Sequence, residues 1–349
     1  MTTKVKRMRI WKVIASCVVA ALFAGGVHLY FNTNAFGEGS FCGGALSADS
    51  AATAFARPGR LSEREGPRAT GSGELDFDCI VESSSMLPSR DEQLHVQGTS
   101  EAAEFPFTEG RWPKPEEMAF FSQGATGAVS GDHGWVMLPE SCWDGEPRIV
   151  EGRMPGGVDN PLALSRILVE AANRSVRAAG CAQSDQSAPT ELAPIPKERK
   201  TDKARQCGVD GFLYRGPDTD VSEVAHEPGA GSGTWACTVR LKNRSAPSVE
   251  RSGYLTYSVT RDPLIIAGIK KSADYSTSSP IPGWPVTGVD GRHIVANCGG
   301  TQTYFAMALG SQYLKTMESA GRVKDHVLFR DFVESVGKQF GCTGVAPAR

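Results

Sequence analysis

Two segments of the chain carry apolar residues at helical spacing. Residues 164–172 hold one stripe, and Gly180 follows it as a candidate C-terminal cap. The second stripe comprises Phe329, Phe332, Val333, Val336 and Phe340. Both patterns are typical of an amphipathic helix that packs one face on a sheet, and both end shortly before a cysteine.

Alternating apolar and polar positions predict half-buried strands. The clearest runs are residues 237–242 and 255–260, whose separation suits an antiparallel hairpin. Further strands are predicted at residues 79–82, 93–97, 134–138, 147–152, 293–297 and 304–308, although the last could begin a helix. A short helix is predicted over residues 46–55 with Ser47 as its N-cap, and loops over residues 58–73 and 105–131.

The N-terminus carries a basic tail and a long uncharged run. Residues 1–12 contain five lysines and arginines, and residues 13–31 contain no charged side chain. Nineteen residues at about 1.5 Å each nearly span a hydrocarbon core of about 30 Å. A cleaved signal peptide is the alternative, but the run is long and no clear cleavage site follows it. We therefore expect a retained anchor whose basic tail stays cytoplasmic.

The cysteine inside this run, Cys17, ends a short segment that resembles a bacterial lipobox. Lys12 lies only five residues upstream, so almost no apolar region precedes the supposed cleavage point. We therefore interpret Cys17 as a small apolar side chain of a membrane helix.

The composition excludes one class of partner and separates two regions. The 349 residues include 37 basic and 39 acidic side chains, with a net charge of −2, so we expect no nucleic-acid binding. Apolar residues make up 40%, which is enough for packed cores. Residues 182–206 contain almost nothing apolar except Leu192 and Ile195, which is typical of a linker.

Eight of the nine cysteines form two sets of four with similar spacing. The sets are Cys42, Cys79, Cys142 and Cys181, and then Cys207, Cys237, Cys298 and Cys342. In each set a glycine follows the first cysteine and another precedes the last. Repetition at a nearly fixed offset indicates duplicated units. The sequence therefore predicts two copies of one domain, over residues 42–181 and 207–342.

Each predicted copy is an α+β domain, an antiparallel sheet with a C-terminal helix. Disulfide bonds suit an exported chain. Zinc is disfavoured because no short C-x2-C spacing occurs. Four cysteines allow three connectivities in each copy. We adopt sequential pairing within each copy as a working hypothesis.

A search for catalytic chemistry yields one weak candidate. Asp132-His133 and residues 290–293, which end in His293, each precede the strand that carries a third cysteine. A paired acid and histidine can form an acid–base site, but turn chemistry at a strand start is more frequent. No G-x-S-x-G motif occurs, and Pro228 breaks any helical zinc motif at His226. We therefore predict no catalytic residue, no cofactor and no metal ligand.

Three further features are interpreted as structural. Residues 229–233 are rich in glycine but lack the residues of a phosphate loop. Asp218-Thr219-Asp220 lacks the glycine and the glutamate of a calcium loop. Five tryptophans either line a surface groove or pack beside disulfides, and we favour packing; they are Trp112, Trp135, Trp143, Trp235 and Trp284.

Four features of the sequence carry a resemblance to known proteins. They are the anchor, the Cys-Gly start of each copy, the strand with an embedded cysteine and the helix ending in Gly-Cys. The chain resembles actinobacterial exported proteins of unknown function that have membrane or lipid anchors and paired-cysteine α+β domains. The resemblance covers residues 42–342 in plan. It implies no catalytic residue, and it implies ligand sensing for some members. The chain departs from the lipid-anchored members because it lacks a convincing lipobox.

Three functions remain open at this point. The first is a single-pass, extracellular binding or scaffold protein, whose partners are the membrane and an unidentified protein or envelope ligand. The second is an extracytoplasmic envelope hydrolase, which requires a histidine beside an acid and a nucleophile in a shared cleft. The third is a subunit of an envelope complex, which requires a large exposed apolar patch. We expect the first, without enzymatic activity.

Overall fold

One N-terminal helix and two sheet domains make up the protein. The computed structural model describes residues 2–65, 75–85, 92–101, 115–157, 160–217, 219–227, 233–242, 253–316 and 323–346. Helix α1 (Thr2–Asn32) includes Ile14–Asn32, the one helical stretch in these ranges that is long and apolar enough to cross a membrane. The thiol of Cys17 lies exposed on this helix and is not in a disulfide.

The first domain is built on a seven-stranded antiparallel sheet. Its elements are β1 (Ser40–Phe41), β2 (Leu46–Ser47), α2 (Ala48–Ala52), β3 (Arg60–Glu65), β4 (Phe77–Ser84), β5 (Glu92–Ser100), β6 (Ala119–Phe121), β7 (Gly127–Val129), β8 (His133–Met137), β9 (Arg148–Arg153) and α3 (Pro161–Ala179). The strand order is β3-β4-β5-β9-β8-β7-β6. Ser47 caps α2 as predicted, because its side chain accepts a hydrogen bond from the Ser50 N–H at 3.3 Å.

The second domain has a sheet of the same kind. Its elements are β10 (Arg199–Lys200), β11 (Val221–Ala225), β12 (Thr234–Leu241), β13 (Leu255–Thr260), α4 (Pro263–Ile269), β14 (Val286–Asp290), β15 (His293–Cys298), β16 (Thr301–Leu309), α5 (Ser311–Thr316) and α6 (Asp325–Gln339). The strand order is β10-β11-β12-β13-β16-β15-β14. The predicted hairpin is formed by β12 and β13, and the segment over residues 304–308 is a strand rather than a helix.

Six strands of the two sheets correspond one to one. Strands β3-β4-β5-β9-β8-β7 lie in the same spatial and chain order as β11-β12-β13-β16-β15-β14. Cys79 lies on β4, and Cys237 lies on the matching strand β12. Only the outermost strands differ, since β6 extends one sheet beyond β7 and β10 extends the other beyond β11. The prediction of two similar α+β domains is confirmed.

Helices α3 and α6 each bury their apolar stripe against their own sheet. Leu168 on α3 and Phe332 on α6 are both fully buried in the core of their domain. A Cβ at Gly134 or Gly152 would lie 2.9 Å or 2.7 Å from the Leu168 side chain, so these glycines allow α3 to lie close to the sheet. Gly180 ends α3 at φ 65°, a left-handed conformation that glycine adopts without strain.

Four disulfides close loops within the two domains. Their sequential connectivity is Cys42–Cys79, Cys142–Cys181, Cys207–Cys237 and Cys298–Cys342. In each domain one bridge ties the start of the domain to the cysteine-bearing strand. The other joins the region just after the long helix to Cys142 between β8 and β9, or to Cys298 at the end of the matching strand β15. The bridges therefore occupy equivalent places in the two copies.

Two predicted loops contain strands. The prediction for residues 58–73 was wrong where β3 forms six antiparallel pairs with β4. The prediction for residues 105–131 was wrong where β6 and β7 extend the sheet, so Phe120 and Phe121 pack from strand positions. These strands are polar or very short, and they are stabilised by their neighbouring strands rather than by a local apolar pattern. Residues 66–73 and 105–114, including Trp112, lie outside the described residues.

The segment predicted as a linker, residues 182–206, packs on both domains. Leu192 and Ile195 pack against the first core. The Gln186 Nε2 donates a hydrogen bond to the Met137 carbonyl at 3.0 Å, and β10 pairs with β11 in the second sheet. Residues 182–206, which we call the strap, are therefore ordered against both domains although their composition is polar.

The sheet faces opposite α3 and α6 share one buried apolar layer. The first domain contributes Met118, Phe120, Ala128, Trp135, Met137 and Ile149, and the second contributes Ile265, Ile266, Ile269, Val295, Tyr304 and Ala306. Hydrogen bonds cross the same boundary, because the Thr126 Oγ1 donates to the Asp262 Oδ2 at 2.8 Å. Arg240 Nη2 also lies 2.6 Å from the Glu117 Oε1. This layer holds the two domains against each other.

Candidate functional site

The two histidines that sequence analysis placed beside acids occupy equivalent positions. His133 begins β8, and His293 begins the matching strand β15. Their acid partners differ from each other. His133 Nε2 lies 2.9 Å from the Glu151 Oε1 on β9, whereas Asp132 accepts a hydrogen bond from the Ser130 Oγ. The adjacent Asp132-His133 pair is therefore not an acid–base unit.

Glu151 lies at the centre of an ion network on the first sheet. Gln97 on β5 donates a hydrogen bond to it, and the Arg153 Nε donates to its Oε1 at 2.6 Å. Burial by itself would raise the pKa of Glu151, but the hydrogen bond and charge of His133 and the charge of Arg153 lower it to about 2. A carboxylate with so low a pKa is a poor general base at neutral pH. The network joins β5, β8 and β9.

A second acid–histidine pair lies beside this network. His95 on β5 contacts the buried Asp78 on β4, and His95 is paired across strands with Arg153. Sequence reasoning missed His95, Asp78, Gln97, Glu151 and Arg153 as neighbours. These residues occupy alternate positions of three strands, on the sheet face away from α3, but the order of the strands was needed to bring them together.

The His293 pair has the turn chemistry that sequence reasoning favoured. The Asp290 Oδ1 lies 2.8 Å from the His293 Nδ1 and accepts the Arg292 N–H at 2.7 Å. Partial burial would raise the pKa of Asp290, but these hydrogen bonds and charges lower it to about 2. Asp290 therefore closes the turn between β14 and β15.

His226 bridges the two domains. Its Nε2 lies 2.7 Å from the Met118 carbonyl oxygen, and its Nδ1 accepts the Ala236 N–H at 3.0 Å. This arrangement requires the neutral tautomer with the proton on Nε2. Burial lowers the pKa of His226 and favours the same form. Both ring nitrogens are therefore occupied by structural hydrogen bonds.

The four described tryptophans of the predicted group are buried or partly buried. Trp135 and Trp235 are buried, as the packing interpretation predicted. Trp143 donates a hydrogen bond from Nε1 to the Leu138 carbonyl at 2.9 Å and lies next in sequence to the disulfide residue Cys142. Trp284 is buried as well, in the core of the second domain, and it also lines an open groove.

The Trp284 groove is formed by a rigid loop and the start of α6. Its volume is about 650 Å3, and its wall includes Pro280, Ile281, Pro282, Trp284, Phe329 and Arg330. The main-chain N–H of Trp284 donates to the Ile281 carbonyl at 3.1 Å, and the Ser279 Oγ donates to the same carbonyl at 2.7 Å. Two prolines and these hydrogen bonds restrain the loop before any ligand is present.

The floor of the groove is aromatic and its rim is basic. The rings of Trp284 and Phe329 are stacked with centroids 6.4 Å apart. The Arg330 guanidinium carbon lies 5.7 Å from the Trp284 centroid, within the range of a cation–π contact. The imidazole of His326, whose side chain is 71% exposed, also borders the groove. The volume falls within the range of small-molecule sites, and the residues suit an apolar ligand with an anionic group.

Other candidate sites carry less chemistry. A cavity of about 520 Å3 lies between Phe121 and the strap; its described lining mixes apolar side chains with a few polar ones, of which Glu191 alone is charged. Within the described ranges, no group of three His, Cys, Asp or Glu side chains is placed to hold a metal ion. Most of the glycine-rich segment over residues 229–233, and Asp218 of the calcium-like triplet, lie outside those ranges.

Comparisons with known proteins do not assign this site. No family model matches the chain, and neither the curated proteins nor the solved structures contain a significant match. The Trp284 groove therefore has to be interpreted from its own geometry.

Proposed function

We propose that the chain is a single-pass membrane protein whose two disulfide-bonded domains lie outside the cell membrane and bind a ligand in the Trp284 groove. The observation that carries the proposal is the groove itself. It combines a restrained loop, an aromatic floor and the Arg330 guanidinium in one concave surface. Such a combination supplies both apolar contact area and an orienting charge.

The proposed location rests on the N-terminus and on the disulfides. Basic residues precede the apolar part of α1, so the positive-inside tendency places the two domains outside. Four disulfides are stable in an oxidising compartment and rare in the cytosol. Both features favour an extracellular location for the bulk of the chain.

Binding has more support than the two alternatives. A hydrolase would need a histidine beside an acid and a nucleophile, yet His226 uses both ring nitrogens structurally and His133 lies against Glu151. The exposed His326 borders the Trp284 groove, but the described residues that line this groove include no serine, cysteine or acid. A complex subunit would expose a large apolar patch. Beyond α1, the described large apolar side chains with high exposure are three, Phe36, Leu213 and Leu314, which is fewer than a large patch requires.

The groove is best matched by a ligand with an aromatic or aliphatic body and a carboxylate. The body would lie on Trp284 and beside the two prolines. The carboxylate would pair with the Arg330 guanidinium, which presents a planar fork of donors to such a group.

Ligand-observed NMR on the full-length chain in detergent tests the groove. The panel consists of aromatic carboxylates and their uncharged amides. We expect the carboxylates to bind and the amides to bind at least about tenfold more weakly, because charge-assisted hydrogen bonds are roughly twice as strong as neutral ones.

Matched variants locate the binding. Arg330→Gln should weaken carboxylate binding, whereas Arg205→Gln should not, since Arg205 is an exposed arginine elsewhere in the same domain. Equal affinity in the wild type and the Arg330 variant would refute the groove as the site. Protease protection of whole cells tests the location, and a full-length soluble cytoplasmic product would refute it.

A further inference from the structure

The chain passes from α1 into the first sheet through a short, ordered turn. Residues 33–39 connect the end of α1 to β1. Asn34 fixes this turn, because its Nδ2 donates to the Glu38 carbonyl at 3.1 Å and its Oδ1 accepts the Leu61 N–H at 3.3 Å. A Cβ at Gly37 would collide with the Asn34 side chain at 1.8 Å, so the turn requires glycine there. The first domain is therefore docked onto the end of α1.

A second contact joins the apolar span to the same strand. Tyr30 lies in the last turns of α1, within the apolar stretch Ile14–Asn32. The Arg60 guanidinium carbon lies 4.2 Å from the Tyr30 ring centroid. Tyrosine near the end of a span is typical of the membrane–water interface. This contact places Arg60 at the level of the lipid headgroups.

The strand that carries Arg60 is an edge in only one of the two domains. In the second domain β10 pairs with β11, the strand that matches β3. In the first domain β3 is the outermost strand, and the turn at Asn34 lies against its start. A free strand edge presents unpaired backbone groups that proteins normally cover or protect with charge. The strap thus covers the outer edge of β11 in the second domain, whereas the equivalent edge of β3 in the first domain lies beside the end of α1.

The outward face of β3 is basic. Arg60, Ser62 and Arg64 alternate with Leu61 and Glu63, which lie on the other side of the strand, and Arg57 lies exposed just before the strand. The facing strand β4 contributes one neighbouring carboxylate, Glu82, which lies 3.1 Å from Arg64. The Glu63 carboxylate accepts the Cys42 N–H and the Glu92 carboxylate accepts the Ala56 N–H. The arginines therefore exceed the carboxylates on this face.

We propose that the β3 face, formed by Arg57, Arg60, Ser62 and Arg64, rests on the outer leaflet of the membrane and binds anionic phospholipid headgroups. The short turn and the Tyr30 contact bring this face to the lipid surface, and the arginines supply the complementary charge. The first domain then lies flat at the membrane and fixes the orientation of the second. The inference rests on the proposed retention of α1.

Photo-crosslinking in nanodiscs tests this contact on the full-length chain. The photoreactive residue p-benzoylphenylalanine replaces Ser62 on β3 or, as the matched control, the exposed Lys200 on β10. Mass spectrometry then measures lipid adducts. We expect adducts at position 62 and not at position 200, and more in discs with phosphatidylglycerol than with phosphatidylcholine alone. Arg60→Glu should reduce the adduct about fivefold or more, since one basic residue near an anionic surface contributes about 1 kcal/mol.

The outcomes separate this inference from the proposed location. Arg205→Glu, in the second domain, should leave the adduct at position 62 unchanged and controls for net charge. Equal adducts at positions 62 and 200, or yields independent of lipid charge, would overturn the docking proposal while leaving the anchor intact. Loss of residues 1–31 from the mature chain in the same mass spectra would overturn the anchor, and the docking proposal with it.

Discussion

The main-chain N–H of Cys207 donates a hydrogen bond to the Glu223 carboxylate at 2.8 Å. The same relationship recurs in the first domain, where the Cys42 N–H donates to Glu63 at 2.5 Å. Both cysteines adopt a positive φ, 60° and 57°, which is uncommon for a residue with a side chain. The glutamate on the matching strand thus holds the strained start of each domain, where a disulfide to the next strand begins.

We expect Glu223→Ala to destabilise the protein more than Glu63→Ala. Glu223 is 1% exposed and also pairs with Arg199, so its removal leaves the buried Cys207 N–H without its acceptor. The cost of such a group is about 1–3 kcal/mol. Glu63 is exposed, so water can replace it. Thermal unfolding of the two variants checks this, and equal losses would contradict it.

The pairing of the cysteines makes a separate prediction. The double variant Cys298→Ser and Cys342→Ser should lose about 3–4 kcal/mol of stability, since it opens a loop of 44 residues in the chain-entropy model. Cys17→Ser should have little effect, because Cys17 lies exposed on α1 outside the disulfides. Denaturant unfolding measures both. Non-reducing peptide mapping of the wild type accompanies it, and a bridge between the domains would refute the duplicated framework.

Acid should weaken the ion network around Glu151. The folded-state pKa of about 2 lies below the ordinary 4.5, so the ionised form stabilises the fold above about pH 4.5. That contribution is lost as the pH falls toward 2. Glu151→Gln should therefore lower Tm clearly near neutral pH, and the difference from the wild type should shrink at low pH. The exposed Glu140→Gln serves as the control, with a small difference throughout. If the difference in Tm between Glu151→Gln and the wild type did not change with pH, this would argue against a stabilising role of the network.

Asp262 links the start of α4 to the first domain. Its Oδ1 accepts the N–H groups of Leu264 and Ile265, and its Oδ2 accepts the Thr126 hydroxyl. Burial, which outweighs these hydrogen bonds, raises the pKa of Asp262. Asp262→Ala should cost about 1–2 kcal/mol through loss of the cap. Asp262→Asn keeps an acceptor without a buried charge and should cost less.

The contribution of Asp262 to stability should depend on pH with the opposite sign to that of Glu151. A raised folded-state pKa means that the folded protein binds the Asp262 proton more tightly, so this contribution is greatest at low pH and declines as the pH rises through the raised pKa. The stability of Asp262→Asn relative to the wild type should therefore improve as the pH rises. Unfolding curves across the acid range measure this, and a constant difference would show that burial of the charge has no effect.

Local patterns in the sequence determined much of the architecture. The alternation in residues 237–242 and 255–260 predicted β12 and β13, because a strand half buried in a sheet has a period of two. The apolar stripes ending near Gly180 and Phe340 predicted α3 and α6, because a helix with one buried face repeats about every 3.6 residues. The repeated cysteine spacing predicted the two copies, because corresponding cysteines lie at equivalent places in the two domains.

Long-range pairing decided the rest. β3 is polar and forms through its pairs with β4, and the strap over residues 182–206 is ordered by the two surfaces on which it packs. Neither has a local periodic signal. The partner of His133 is Glu151 rather than the adjacent Asp132, because β8 lies beside β9 in the sheet. Trp284 and Arg330 are 46 positions apart, and only the packing of α6 on the second sheet brings them to one groove.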